Sequence, residues 1–152
     1  MIKDSYEKFQ KKYGLPSFDS MNNDFHIGAI EKDTQLLDEI GQKIADKVEY
    51  GLDVLRVILQ PDANSCSDMY ECTIFENGER KTAFALFKQL MILKRGLAEA
   101  ELLGEEKIIA EIIKQAHTAL TSIKPELVRI VKKMQDSWRK NLDQESDVHY
   151  LG

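Results

Sequence analysis

The stretch TAFALFKQLMILKRGLAEAELL, residues 82–103, decides the fold class. It is the most apolar segment of the chain and has helical length. At 100° per residue, Lys81, Lys88, Arg95 and Glu99 fall on one stripe. Leu86, Phe87, Leu90, Met91, Leu93, Leu97 and Ala98 take most of the remaining circumference. A helix apolar on most sides needs cover on most sides, so the pattern predicts a position at the centre of a bundle. Lys88, Lys94 and Arg95 interrupt the run well short of the ~20 apolar residues that a membrane span requires.

Upstream, residues 29–60 read as the longest helix, about 45 Å at 1.5 Å per residue. Leu37, Ile40, Ile44, Val48, Gly51, Leu55 and Ile58 form its seam at 3–4 spacing. Gly41 and Gly51 share the apolar side, where a missing side chain admits a close neighbour or marks a bend. Asp46, Glu49 and Asp53 run along the opposite face at i, i+3, i+7. Such carboxylates hold a hard cation only when they converge from facing helices, as in di-iron bundles. Pointing away from the core stripe, they are better read as a solvated face.

Gln60-Pro61 ends that helix, and residues 61–79 are the longest part that core packing leaves unexplained. Alternation around Tyr70, Cys72 and Ile74, with Asn77-Gly78 as a turn, fits a hairpin. An isolated hairpin is marginal, however, and the preferred reading is a short helical or irregular segment ending at Asn77-Gly78. Asp68, Tyr70, Glu71 and Cys72 form the candidate loop site. A nucleophilic cysteine needs a base, and no histidine lies near Cys72 in sequence.

Downstream, Gly104 closes the central helix and two more helices are expected, 105–122 and 124–143, with Pro125 in the first turn of the second. Ile108, Ile109, Ile112, Ile113, Ala116, Leu120 and Ile123 give the first its apolar face, with His117 on the flank. Leu127, Val131, Met134, Trp138 and Leu142 are the predicted core stripe of the second. The outer face of the latter is basic. Between residues 124 and 140, six cations against Glu126 and Asp136 leave +4, so the rest of a chain of net charge −5 carries −9. Arg129, Lys132, Lys133, Arg139 and Lys140 are therefore the candidate surface for nucleic acid or an acidic partner. The same charges also serve to complement an acidic neighbour or to keep the protein soluble.

The N-terminal residues 3–13 make a short helix with Tyr6, Phe9 and Tyr13 on one stripe, read as docking on a core. Gly14 and Pro16 stop it, and Ser17 caps a second short helix through Phe25. Asp19, Asn22, Asn23 and Asp24 fail as a calcium loop. Counted from Asp19, the sixth position is Asp24 instead of Gly, and the twelfth is Ile30 instead of Glu. His26 has no second ligand at helical spacing and reads as structural.

At 152 residues the chain fits one helical domain, 1–143, with a flexible tail over 144–152. The acidic balance gives no overall case for nucleic acid or anionic membrane. No apolar leader opens the chain, and Cys66 and Cys72 match neither a redox pair nor a zinc knuckle. A cytoplasmic protein is expected. Phosphate-cradling glycine loops, G-x-S-x-G, H-E-x-x-H and E-x-x-H are all missing, so neither cofactor nor metal is predicted.

The expected fold is therefore all-α: an elongated antiparallel bundle of three or four long helices with short N-terminal helices. Three functional classes fit it. The first is a non-enzymatic protein-interaction or assembly module, with a protein partner or self-association as a homodimer. The second is a nucleic-acid-associated protein using the basic last helix. The third is a metal-dependent hydrolase using Asp46, Glu49 and Asp53, or Asp68 and Glu71, which requires those carboxylates to converge.

Overall fold

The computed structural model describes residues 2–142, and the predicted tail over 144–152 lies outside them. Six α-helices make up an all-α bundle among the described residues: α1 (Ile2–Tyr13), α2 (Phe18–Phe25), α3 (Leu36–Leu59), α4 (Cys66–Glu71), α5 (Asn77–Leu103) and α6 (Glu106–Leu142). They fall into two compact units, the first from residues 2–50 and 89–122, the second from 51–88 and 123–142. Three of the helices, α3, α5 and α6, contribute to both. None of the described helices is long and apolar enough to cross a membrane.

In the first unit, the N-terminal helices form where the composition stops and starts them. Gly14 adopts φ +67° after α1, a conformation that side chains disfavour. Ser17 then caps α2 by accepting from the Ser20 N–H at 3.2 Å. Tyr6, fully buried, donates its hydroxyl to the Pro16 carbonyl at 2.5 Å. Burial pushes that phenol well above its ordinary value, so it stays a neutral donor. The aromatic stripe of α1 is thus partly a docking face, with Tyr6 inside and Phe9 and Tyr13 half-buried.

The helix expected over 29–60 begins later, at Leu36. His26 takes a left-handed conformation at the end of α2, and a 3₁₀ turn follows at Ile27–Ala29. Ser5 donates to Asp33 at 2.7 Å, which ties the intervening segment to α1. From Leu36 onward the predicted seam is buried: Leu37, Ile40, Ile44 and Val48 in this unit, Gly51, Leu55 and Ile58 in the second. Gly41 does not admit a close neighbour, because a Cβ there would meet nothing within 4 Å. The close approach is at Gly96 of α5, where a Cβ would lie 2.7 Å from Ile112 Cδ1 of α6.

The central helix differs from expectation. It buries one stripe, Ala83, Leu86, Leu90, Leu93, Leu97 and Ala100, and leaves Phe84, Ile92, Leu102 and Leu103 exposed. Leu102 is 88% exposed and Ile92 70%. Among the described residues there are two other long helices, too few to wall a third on every side. One of these side chains has a cationic neighbour, with Lys88 Nζ 4.7 Å from the centre of the Phe84 ring.

In the second unit, residues 61–79 form no hairpin. Ser65 caps α4 through the Asp68 N–H at 3.2 Å, and a 3₁₀ turn covers Cys72–Ile74. Asn77-Gly78 opens α5 rather than ending a segment. The Glu79 side chain reaches back to the Glu76 N–H at 3.2 Å, the reciprocal half of a capping box, and this outweighs the turn preference of Asn-Gly.

The two helices expected on either side of residue 123 are one, α6, with Pro125 inside. The apolar phase explains this: Ala116, Leu120, Ile123, Leu127, Ile130 and Met134 continue at 3–4 spacing straight through the proline. Proline removes one hydrogen bond, and Pro125 and Thr121 are both exposed, where that loss costs least. Continuity also shifts the core stripe of this part. Ile130 is buried where Val131 was expected, and Val131 is 38% exposed.

Candidate functional site

The loop residues singled out in sequence serve to fasten α4 onto α6 within the second unit. Trp138 Nε1–H donates to Glu71 at 2.9 Å, and the Tyr70 and Trp138 rings lie 4.5 Å apart. Tyr70 donates its hydroxyl to the Ser137 carbonyl at 3.2 Å. Asp68 accepts the Asp62 N–H at 3.1 Å, and the Asp62 carboxylate in turn accepts the Asn64 N–H at 2.9 Å, so both close their own loop. Cys72 is buried and directs its thiol at the Met69 carbonyl at 3.3 Å. Arg80 donates to the Cys72 carbonyl at 2.9 Å. Asp68, Tyr70, Glu71 and Cys72 thus each have a structural partner.

The basic residues of α6 are divided. Lys133 donates to both Glu79 oxygens at 2.7 and 2.8 Å and lies 5.1 Å from the Phe75 ring centre. That hydrogen bond, with the Glu76 N–H, holds the Glu79 carboxyl below its ordinary value. Arg129 pairs with Glu126 at 2.9 Å and reaches Glu79 at 3.9 Å, and Arg139 lies 3.9 Å from Asp136. Lys132 and Lys140 are exposed, and no ion pair of theirs is seen among the described residues.

The carboxylates proposed for a hard cation do not converge. Asp46 accepts from Gln42 at 3.2 Å, Glu49 pairs with Lys94 at 2.5 Å, and Asp53 pairs with Arg56 at 2.5 Å. Among the described residues no three His, Cys, Asp or Glu side chains come together as a cation would need. A second polar cluster, which the sequence reading missed, joins His117 of α6 to α2. Ser20 Oγ lies 2.9 Å and Asp24 3.5 Å from the ring, but both approach Nε2. A hydrolytic triad needs the carboxylate on Nδ1 to orient the ring and the hydroxyl on Nε2. This arrangement joins α2 to α6 and is not that of a triad.

What remains is a groove in the first unit, about 450 Å³ in volume, between α3, the C-terminal part of α5 and the start of α6. Val48, Leu97, Ala100, Ile109 and Ile112 make an apolar floor. Gly41 and Ala45 of α3 and Ala98 of α5 keep it open, because none has a side chain long enough to fill it. The rim carries Asp38, Glu49 and Glu101 against one cation, Lys94, and Lys94 is already paired with Glu49. The Glu49–Lys94 pair and the ends of the groove at Gln35 and Gly104 set α3 and α5 antiparallel here. The groove thus offers an apolar floor under an acidic rim, with the Asp38, Glu49 and Glu101 carboxylates and the paired Lys94 as its charged groups. Gly41 and Ala45 were the sequence signal, small residues at i, i+4 on one side of a long helix.

No protein-family model matches the chain, and no curated protein or solved structure matches it either.

Proposed function

We propose that the protein is a small non-enzymatic helical interaction module whose groove between α3, α5 and α6 receives a helix from a protein partner. The groove carries this reading: about 450 Å³, apolar at its floor and acidic at its rim. An open apolar groove between long helices has the shape that receives the apolar face of an amphipathic helix. The polar clusters of Glu71 with Trp138, Glu79 with Lys133 and Ser20 with His117 hold secondary elements together.

The test is capture from a native lysate with nuclease, comparing wild type with Ala45→Arg. The arginine fills the groove from a half-exposed helical position and leaves the fold intact, as circular dichroism would verify. A discrete stoichiometric polypeptide held by wild type and lost by Ala45→Arg supports the reading. Equal capture by both overturns it. Material that disappears with nuclease and depends on Lys132 and Lys140 would instead favour nucleic-acid association through the basic face of α6.

A further inference from the structure

We infer that the helix received by the groove belongs to a second copy of this chain and is the exposed face of α6 centred on Val128. The inference rests on the groove being a helix-binding site and names its occupant. Val128 is 55% exposed, a large share for a branched apolar side chain in a helix otherwise well partitioned between inside and outside. At 100° per residue, Lys124, Val131, Lys132, Gln135 and Arg139 lie within 60° of it, and all are exposed. This face therefore presents an apolar pair one turn apart, flanked by three cations. Of these, Lys124 and Lys132 show no ion pair among the described residues.

The two surfaces are complementary in both respects that matter for a helix in a groove. The valines supply apolar anchors at i and i+3 for the floor of Val48, Leu97, Ile109 and Ile112. The lysines and Arg139 supply positive charge for a rim that holds Asp38 and Glu101 beside an already neutral Glu49–Lys94 pair. The charge asymmetry of the chain, +4 over residues 124–140 against −9 elsewhere, has the same sense. The groove lies in the first unit and the α6 face in the second, so each copy carries both halves of the contact. Two copies that exchange them close into a dimer, and a non-closing geometry builds an open series.

The experiment is sedimentation velocity with light scattering on the full chain, from low micromolar to near-millimolar protein. Wild type is expected to gain mass with concentration, from 17.4 kDa towards a multiple of it, and to dissociate as salt is raised. Lys124→Glu with Lys132→Glu, and separately Asp38→Lys with Glu101→Lys, should each weaken association by about tenfold or more. Mixing these two variants should restore a complex, because the reversed charges match again. Val128→Asp should abolish association and, being at an exposed position, keep the fold. Restoration by mixing establishes the contact. A chain that stays monomeric throughout, or that associates with no sensitivity to either charge-reversed pair, overturns it. The two readings fail separately: a monomeric wild type that still loses a captured polypeptide on Ala45→Arg has a groove with a different occupant.

Discussion

The two units of this bundle are stabilised by different means. Of the twelve largest fully buried side chains among the described residues, nine lie in the first unit, including Tyr6, Met21, Ile40, Leu90 and Ile113. Three lie in the second, Leu52, Leu55 and Ile58, all from α3. The second unit instead fastens its connector with directed contacts: Trp138 to Glu71, Tyr70 to the Ser137 carbonyl, Arg80 to the Cys72 carbonyl and Lys133 to Glu79. Apolar burial is proportional to area and indifferent to direction, whereas hydrogen bonds net only about 1 kcal/mol each and depend on geometry. The first unit can therefore leave a groove open at its surface and keep its core. The second depends on each latch it has.

The strongest test of this contrast is truncation in the first core. Ile113→Ala should lower the unfolding free energy by about 3–4 kcal/mol in urea titration, since Ile113 is fully buried. A loss below ~1 kcal/mol would mean that the first unit is not held by burial. Next comes the seam of α6 itself. Pro125→Ala should raise stability by about 1–2 kcal/mol, because the exposed proline costs the helix a hydrogen bond and the unfolded chain regains only part in entropy. No gain in melting temperature would show that the break is already accommodated.

Trp138→Phe probes a single latch of the second unit. It keeps most of the ring but removes the donor to Glu71, and should cost about 1–1.5 kcal/mol. In native-state hydrogen exchange, it should speed the amides of residues 66–74 far more than those of residues 36–50. Equal acceleration in both would erase the distinction between the units.

The smallest effect is the pH dependence of Glu79. Its carboxyl lies below its ordinary value because Lys133 hydrogen-bonds the charged form. The unfolded chain thus binds the proton first as pH falls, so this contribution is present above the ordinary carboxylate range and is lost on acidification through the lowered value. Glu79→Gln should flatten the decline of melting temperature between about pH 5 and pH 3 relative to wild type. The residual slope should include Glu106 of the first unit, whose carboxyl is lowered mainly by the Tyr13 hydroxyl and then by Lys12. An unchanged slope in Glu79→Gln would show that the Lys133 latch is idle in solution.

Much of the fold was legible because it rests on short-range chemistry. The seam from Leu37 to Ile58 follows from helical periodicity, and the stop at Gly14 and the cap at Ser17 follow from local backbone and side-chain geometry. The misreading at Pro125 set one local signal above the helical phase: the stripe from Ala116 to Met134 runs through the proline at 3–4 spacing, and the helix continues. Asn77-Gly78 does stand at a boundary, but as the start of α5, where Glu79 reaches the Glu76 N–H and is held by Lys133. The candidate sites were less legible. Glu71 and Trp138 are 67 residues apart, and nothing local announces their hydrogen bond.

By itself the sequence determined the helical class, the inward face of α3 and the acidic chain with a basic last segment, since each depends on residue type and spacing along one helix. Only the tertiary structure decided which charges are neutralised, that α5 keeps an exposed face, and that small residues of α3 and α5 leave a groove. Those outcomes depend on what stands opposite a residue, and a linear chain specifies its own faces without specifying their neighbours.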